Sequence, residues 1–113
     1  MKTSTWLAAL TLCVLGVGVQ AQSTAPYPNK PLKLVIGFAP GGAADHVARS
    51  MSDAFGRALG ASVVVENRAG AGSSIAAEFV AKAPADGYTV LIASPSSISV
   101  NPALNPKLGY TPK

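Results

Sequence analysis

Leu34-Val35-Ile36-Gly37-Phe38-Ala39-Pro40-Gly41-Gly42-Ala43-Ala44-Asp45-His46-Val47-Ala48-Arg49 is the stretch on which the fold of this chain turns. An apolar run ends at Ala39-Pro40-Gly41-Gly42, and a helical pattern begins directly after it. The spacing predicts a buried strand, a glycine turn and the first turn of a helix. Such a junction gathers unpaired backbone N–H groups and the positive end of a helix dipole at one point. A phosphate or carboxylate binds well there. The same Pro-Gly-Gly also suits a plain tight turn, and alone it does not separate the two readings.

Working outward, the first strand is expected over Leu32–Phe38, apolar almost without a break, as in a parallel strand covered on both faces. The helix is expected from about Ala44 to Leu59, with Val47, Met51, Ala54, Phe55 and Ala58 as its buried stripe and Gly60 as its cap. Ser62–Glu66 reads as a second strand, rich in β-branched residues. After a glycine loop over 67–72, Ser73 or Ser74 is placed to cap a second helix whose stripe is Ile75, Phe79 and Val80. Tyr88–Ala93 is the third strand, Ser94–Ser97 a polar loop, and Asn101-Pro102 the start of a short helical turn. This β-α-β-α-β order implies parallel strands with right-handed crossovers, an open α/β sheet with flanking helices. Ligands sit beyond the carboxyl ends of such strands. Three loops meet at that edge, and their candidate ligand-binding residues are Pro40, Gly41, Gly42, Ala43, Ala44 and Asp45, then Gly72 and Ser73, then Ser94, Ser96 and Ser97.

The N-terminus reads as an export signal. Lys2 precedes an apolar run from Trp6 to Val19, too short for a confident membrane span, and Val19-Gln20-Ala21 suits cleavage after Ala21. Residues 22–31 form an extended, proline-rich lead-in, and 32–113 the folded part. Cleavage removes Cys13, the single cysteine, so the mature chain has no disulfide, which fits the periplasm. It also leaves eight Lys and Arg against five Asp and Glu, scattered without a basic run or aromatic interleaving. That pattern argues against a nucleic-acid surface and is compatible with small anions.

Catalytic and cofactor motifs are not found. Gly70-x-Gly72 lacks the third glycine of a dinucleotide turn, since Ile75 stands there. His46 is the single histidine, without the partners a metal or a nucleophile needs, and reads as a solvated residue. Asp45 reads first as a carboxylate favoured at a helix N-terminus, and second as a holder of the Pro-Gly-Gly loop or an acceptor of a ligand donor. The serines at 94–97 lack the setting of a nucleophile elbow. The pattern favours binding over catalysis, with no cofactor.

The run YPNKPLKLVIGFAPGGAADHVAR (27–49), then VVVENRAGAGSSIAAEFVAKAPADGYTVLIAS (63–94), then NPAL (101–104), resembles the N-terminal part of the Bug family. These are extracytoplasmic solute-binding proteins of tripartite tricarboxylate transporters. The resemblance covers Tyr27 to about Pro112. It implies a two-lobed periplasmic-binding-protein fold that holds small carboxylates or related organic anions in the cleft, and membrane permease subunits as partners. The loop at Pro40–Asp45 matches one of the family's ligand loops. Ala43 and Ala44 stand where members often carry glycine and threonine, which removes one possible hydroxyl contact. Members continue well past the length of this chain, so 32–113 is expected to be the first part of lobe one. Two rival readings remain at this point: a fragment of an exported α/β enzyme, and a non-functional remnant.

Overall fold

A computed structural model of the chain describes residues 25–112. The expected signal peptide, its cleavage site and Cys13 lie outside the described residues. Three parallel strands, β1 (Leu32–Ile36), β2 (Val63–Asn67) and β3 (Thr89–Ile92), form one sheet in the order β2-β1-β3. Leu34 stands level with Val65 on one side and Val90 on the other. β1 and β3 are shorter than expected and β2 is shifted by one residue: β1 ends at Ile36, and Gly37 and Phe38 already bend.

Helix α1 (Ala43–Leu59) joins β1 to β2, and α2 (Ser74–Ala81) joins β2 to β3. The two helices cover opposite faces. On the first face, Leu34 and Ile36 of β1 bury Ala48 of α1, with Val63, Val65 and Ile92 around them. On the second, the Lys33 ammonium lies 5.6 Å from the Phe79 ring of α2, and the Arg68 guanidinium 3.5 Å from it. Val35, pointing to that face, is fully buried. Gly60 caps α1 as expected, in a left-handed conformation, its N–H on the Gly56 carbonyl.

Both apolar stripes differ from expectation. The buried residues of α1 are Asp45, Ala48 and Ser52, while Val47, Met51 and Phe55 remain about half exposed. The apolar stripe flanks the sheet contact and borders a gap of about 270 Å³ over β3, lined by Met51, Phe55, Leu34, Val90 and Tyr27. In α2 the buried residues are Ser74, Ala76 and Ala77, and Ile75 is exposed. Small residues face the sheet there because α2 starts close against the end of β1. The 94–97 stretch also departs from a loop. Ser96–Val100 winds as a wide π-helical turn and runs into the short helix α3 (Asn101–Leu104).

Candidate functional site

The sheet order marks the edge at which a candidate site is to be sought. β1 is central, and the chain leaves its carboxyl end toward β2 over one face, then returns past it to β3 over the other. The carboxyl ends of β1 and β3 therefore form a topological switch point, where doubly wound sheets leave a crevice. The loop from Gly37 to Gly42 rises from one side of it, and Ala93–Ser97 from the other.

The first loop is held open by its own aspartate. Asp45 is 4% exposed, and every oxygen has a partner. Oδ2 accepts the Gly41 N–H at 3.0 Å and Arg49 Nε at 2.9 Å; Oδ1 accepts Asn67 Nδ2 at 2.9 Å. The Arg49 hydrogen bond, then the Gly41 N–H, then Asn67, hold this carboxyl well below the usual carboxylate range. Asn67 Nδ2 also reaches the Phe38 carbonyl at 3.1 Å, so one carboxamide ties the loop to the end of β2. Gly41 sits at φ +84°, a conformation that glycine adopts without strain.

These ties leave the α1 N-terminus uncapped. Gly42 stands at the N-cap with no side chain to satisfy the first turn, and the earliest helical bond is His46 N–H to Gly42 O at 3.1 Å. The N–H groups of Ala43 and Ala44 precede it and have no helical carbonyl to meet. Phe38, Ala39, Pro40, Gly41, Gly42, Ala43 and Ala44 line one open groove around them. Asp45 turns its charge back into the protein. His46 is exposed, as a solvated residue would be.

In the third loop, Ser94 and Ser97 are buried and bonded to each other. Ser97 Oγ receives the Ser94 N–H at 3.1 Å and donates to Ser94 O at 2.9 Å. Their hydroxyls shape the turn. Ser96 is half buried, and among the described residues its hydroxyl has no hydrogen bond. In the second loop, Gly72 is exposed and Ser73 is 1% exposed, with an Oγ that has no partner among the described residues. Neither Ser73 nor Ser74 caps α2 with its side chain, contrary to the sequence expectation, because Ser73 is itself left-handed (φ 71°) and Ser74 already lies inside the helix.

Three residues that sequence reasoning passed over organise the edge: Asn67, Asn101 and Tyr110. Asn67 was legible as the first loop residue after a strand, but its pairing with Asp45, 22 positions away, has no local signature. Asn101 Nδ2 reaches Ser74 Oγ at 2.7 Å, and the Tyr110 hydroxyl donates to Ser97 O at 2.6 Å. Among the described residues, no group of three or more His, Cys, Asp and Glu could hold a metal ion, and no helix is long and apolar enough to cross a membrane.

Comparison with known proteins agrees with this architecture. Residues 47–113 match the family described as the tripartite tricarboxylate transporter family receptor. The chain is 38% identical over 112 residues to protein BugT of Bordetella pertussis, covering 97% of this chain and 34% of that protein. A solved periplasmic transporter superimposes with a TM-score of 0.72 at 46% identity, over 76% of this chain and 29% of that one. MatC from Rhodopseudomonas palustris with bound malate gives a TM-score of 0.70 at 37% identity, again over 76% and 29%. The chain spans about a third of the length of the curated relatives it matches. With the family match running over more than half its residues and the parallel sheet shared with solved periplasmic proteins, the chain belongs to the tripartite tricarboxylate transporter receptor family.

Proposed function

We propose that this chain supplies the first part of lobe one of an extracytoplasmic solute-binding protein. It receives a small carboxylate at the carboxyl edge of its sheet, and it has no catalytic role. One observation carries the reading. The uncapped N–H groups of Ala43 and Ala44 open into the groove at the switch point, and the nearby carboxylate is already spent on Gly41, Arg49 and Asn67. An anion entering there meets donors and a positive dipole end without a competing negative charge. The malate bound by MatC is of the same chemical class. Pro40–Ala44 and Ser96 are the residues placed to touch it, with Asp45, Ser94 and Ser97 shaping the loops they stand on. Export follows the leader reading, with cleavage after Ala21, and the membrane partners are the permease subunits of a tripartite transporter.

The test is a titration of ¹⁵N-labelled residues 22–113 with malate, succinate and citrate, followed by amide shifts. The expected result is saturable movement at residues 42–44, removed by Gly42→Val. A Cβ at Gly42 meets only the Ala39 carbonyl at 3.7 Å, an ordinary contact, so valine there obstructs the groove without straining the loop. Binding that survives Gly42→Val in a folded protein would place the site elsewhere. Intact mass of periplasmic material should begin at Gln22.

A further inference from the structure

Residues 71–73 wind left-handed. Ala71, Gly72 and Ser73 have φ of 47°, 59° and 71°, in succession, between β2 and α2. Glycine takes this conformation freely; alanine and serine do not, because Cβ crowds the following carbonyl. Such outliers persist only where the surroundings over-determine them.

The surroundings here are one carboxamide and one hydroxyl from the C-terminal segment. Asn101 Nδ2 lies 3.2 Å from Ala71 O, 3.1 Å from Gly72 O and 2.7 Å from Ser74 Oγ. Its two hydrogens are shared among the Ser74 hydroxyl, the Gly72 carbonyl and the Ala71 carbonyl, the last of which also accepts the Ser74 N–H that opens α2. Tyr110 Oη is 3.2 Å from Ser74 Oγ and donates to Ser97 O, so the same turn is tied to the third loop. On its other side the buried Ser73 hydroxyl, without a hydrogen-bond partner among the described residues, is pressed against Gly37, the residue that leads into the first loop.

We propose that Asn101 is a positioning residue of the solute site: its carboxamide imposes the left-handed turn at 71–73, and that turn locks the three carboxyl-edge loops in register before a ligand arrives. The inference rests on the reading of this edge as the solute site. Asn101 itself touches no ligand in this scheme.

The experiment uses ¹⁵N-labelled residues 22–113 and the variant Asn101→Ala. Backbone couplings and carbon shifts at Ala71 and Ser73 should leave the left-handed pattern. Amide exchange at 72–76 should speed up about tenfold, the worth of one lost hydrogen bond, while the β1 amides keep their protection. The dissociation constant for malate, read at residues 42–44, should rise by a similar factor. Adding Ala71→Gly to Asn101→Ala should recover part of each readout, at Ser73 for the couplings, because glycine holds a positive φ at 71 without the carboxamide while Ser73 stays a non-glycine at positive φ. Unchanged couplings and exchange at 71–76 in Asn101→Ala overturn the proposal. So does a failure of Ala71→Gly to recover the turn, including the case in which Asn101→Ala unfolds the sheet. A parent that ignores malate counts against the solute reading alone, since couplings and exchange judge Asn101 without a ligand.

Discussion

Gly37→Ala is the sharpest single test of how the loops are assembled. A Cβ at Gly37 would stand 1.7 Å from Ser73 Oγ, 2.4 Å from Ser73 Cβ and 2.7 Å from Ser73 Cα, where ordinary contact begins at 3.4 Å. Rotating the serine clears the hydroxyl only. The backbone at Ser73, and with it the start of α2, must retreat by roughly 0.7 Å or more in a region that is 1% exposed. Overpacking of a tight site costs about 1–3 kcal/mol, and a clash with backbone belongs at the upper end. For a small domain that is a large share of the total stability. The second arm is Gly37→Ala with Ser73→Gly, which removes two of the three clashes and puts glycine at φ 71°. It should regain on the order of 1–2 kcal/mol of the loss, a coupling typical of residues in contact. Urea unfolding of residues 22–113, followed by circular dichroism, reads both arms. A Gly37→Ala midpoint equal to the parent's would refute the contact, and so would a double variant no more stable than the single one.

Other outcomes follow from the same geometry. Asp45, held low by Arg49, Gly41 and Asn67, contributes stability above the ordinary carboxylate pKa that is lost only as pH falls through its own lower value. Its side-chain carbon signal should therefore remain that of a carboxylate well below about pH 4, and protonation at the ordinary value would contradict the hydrogen-bond assignment. His46→Ala, at an exposed position, should shift stability by no more than about 0.5 kcal/mol and leave malate binding unchanged; abolished binding would move the site onto His46. The half-exposed Val47, Met51, Phe55 and Val90 each leave roughly 1 kcal/mol of burial unrealised. Two copies facing each other would gain about 8 kcal/mol against an association cost of at least ~4, so self-association on the order of 1 mM is expected. Sedimentation should show it for the parent and not for Phe55→Glu; a parent monomeric at that concentration speaks against the apolar gap as a sticky face.

How much of this was legible in the sequence depends on the range of the interaction. The strands, α1 and its Gly60 cap follow from apolar runs, periodicity and one glycine, all local signals. The buried face of α1 does not. Val47, Met51, Ala54, Phe55 and Ala58 form its apolar stripe, yet Asp45, Ala48 and Ser52 are the residues buried. Periodicity says which face favours cover, and the neighbours present decide which face receives it. At the candidate site, the turn and helix start over Pro40–Asp45 were legible because they are contiguous in the chain. Asn67, Asn101 and Tyr110 were not, because a carboxamide or phenol that bonds across 13 to 36 positions leaves no pattern along the chain. Ala71 and Ser73 ran against their own propensities, and the turn they form is set by tertiary contacts.

The strand order matters most for function and was the least readable. A β-α-β-α-β chain satisfies the right-handed crossover rule equally well in the order 1-2-3, with both helices on one face, and in the order 2-1-3, with one on each. Only the second creates a switch point. Composition does not choose, since LKLVI, VVVEN and TVLI are similarly apolar. Burial does: Leu34, Val35 and Ile36 of β1 are covered on both faces, while β2 and β3 remain half exposed as edges. This order also sorts the three loops by role. The first and third flank the crevice between β1 and β3 and are the ones proposed to meet a ligand. The second follows β2, on the far side of β1, and reaches the crevice only through Ser73 against Gly37 and through Ser74 with Tyr110. If this edge receives a solute as proposed, Gly72 and Ser73, grouped with the other loops when read along the sequence, act on it by fixing that edge rather than by touching the ligand.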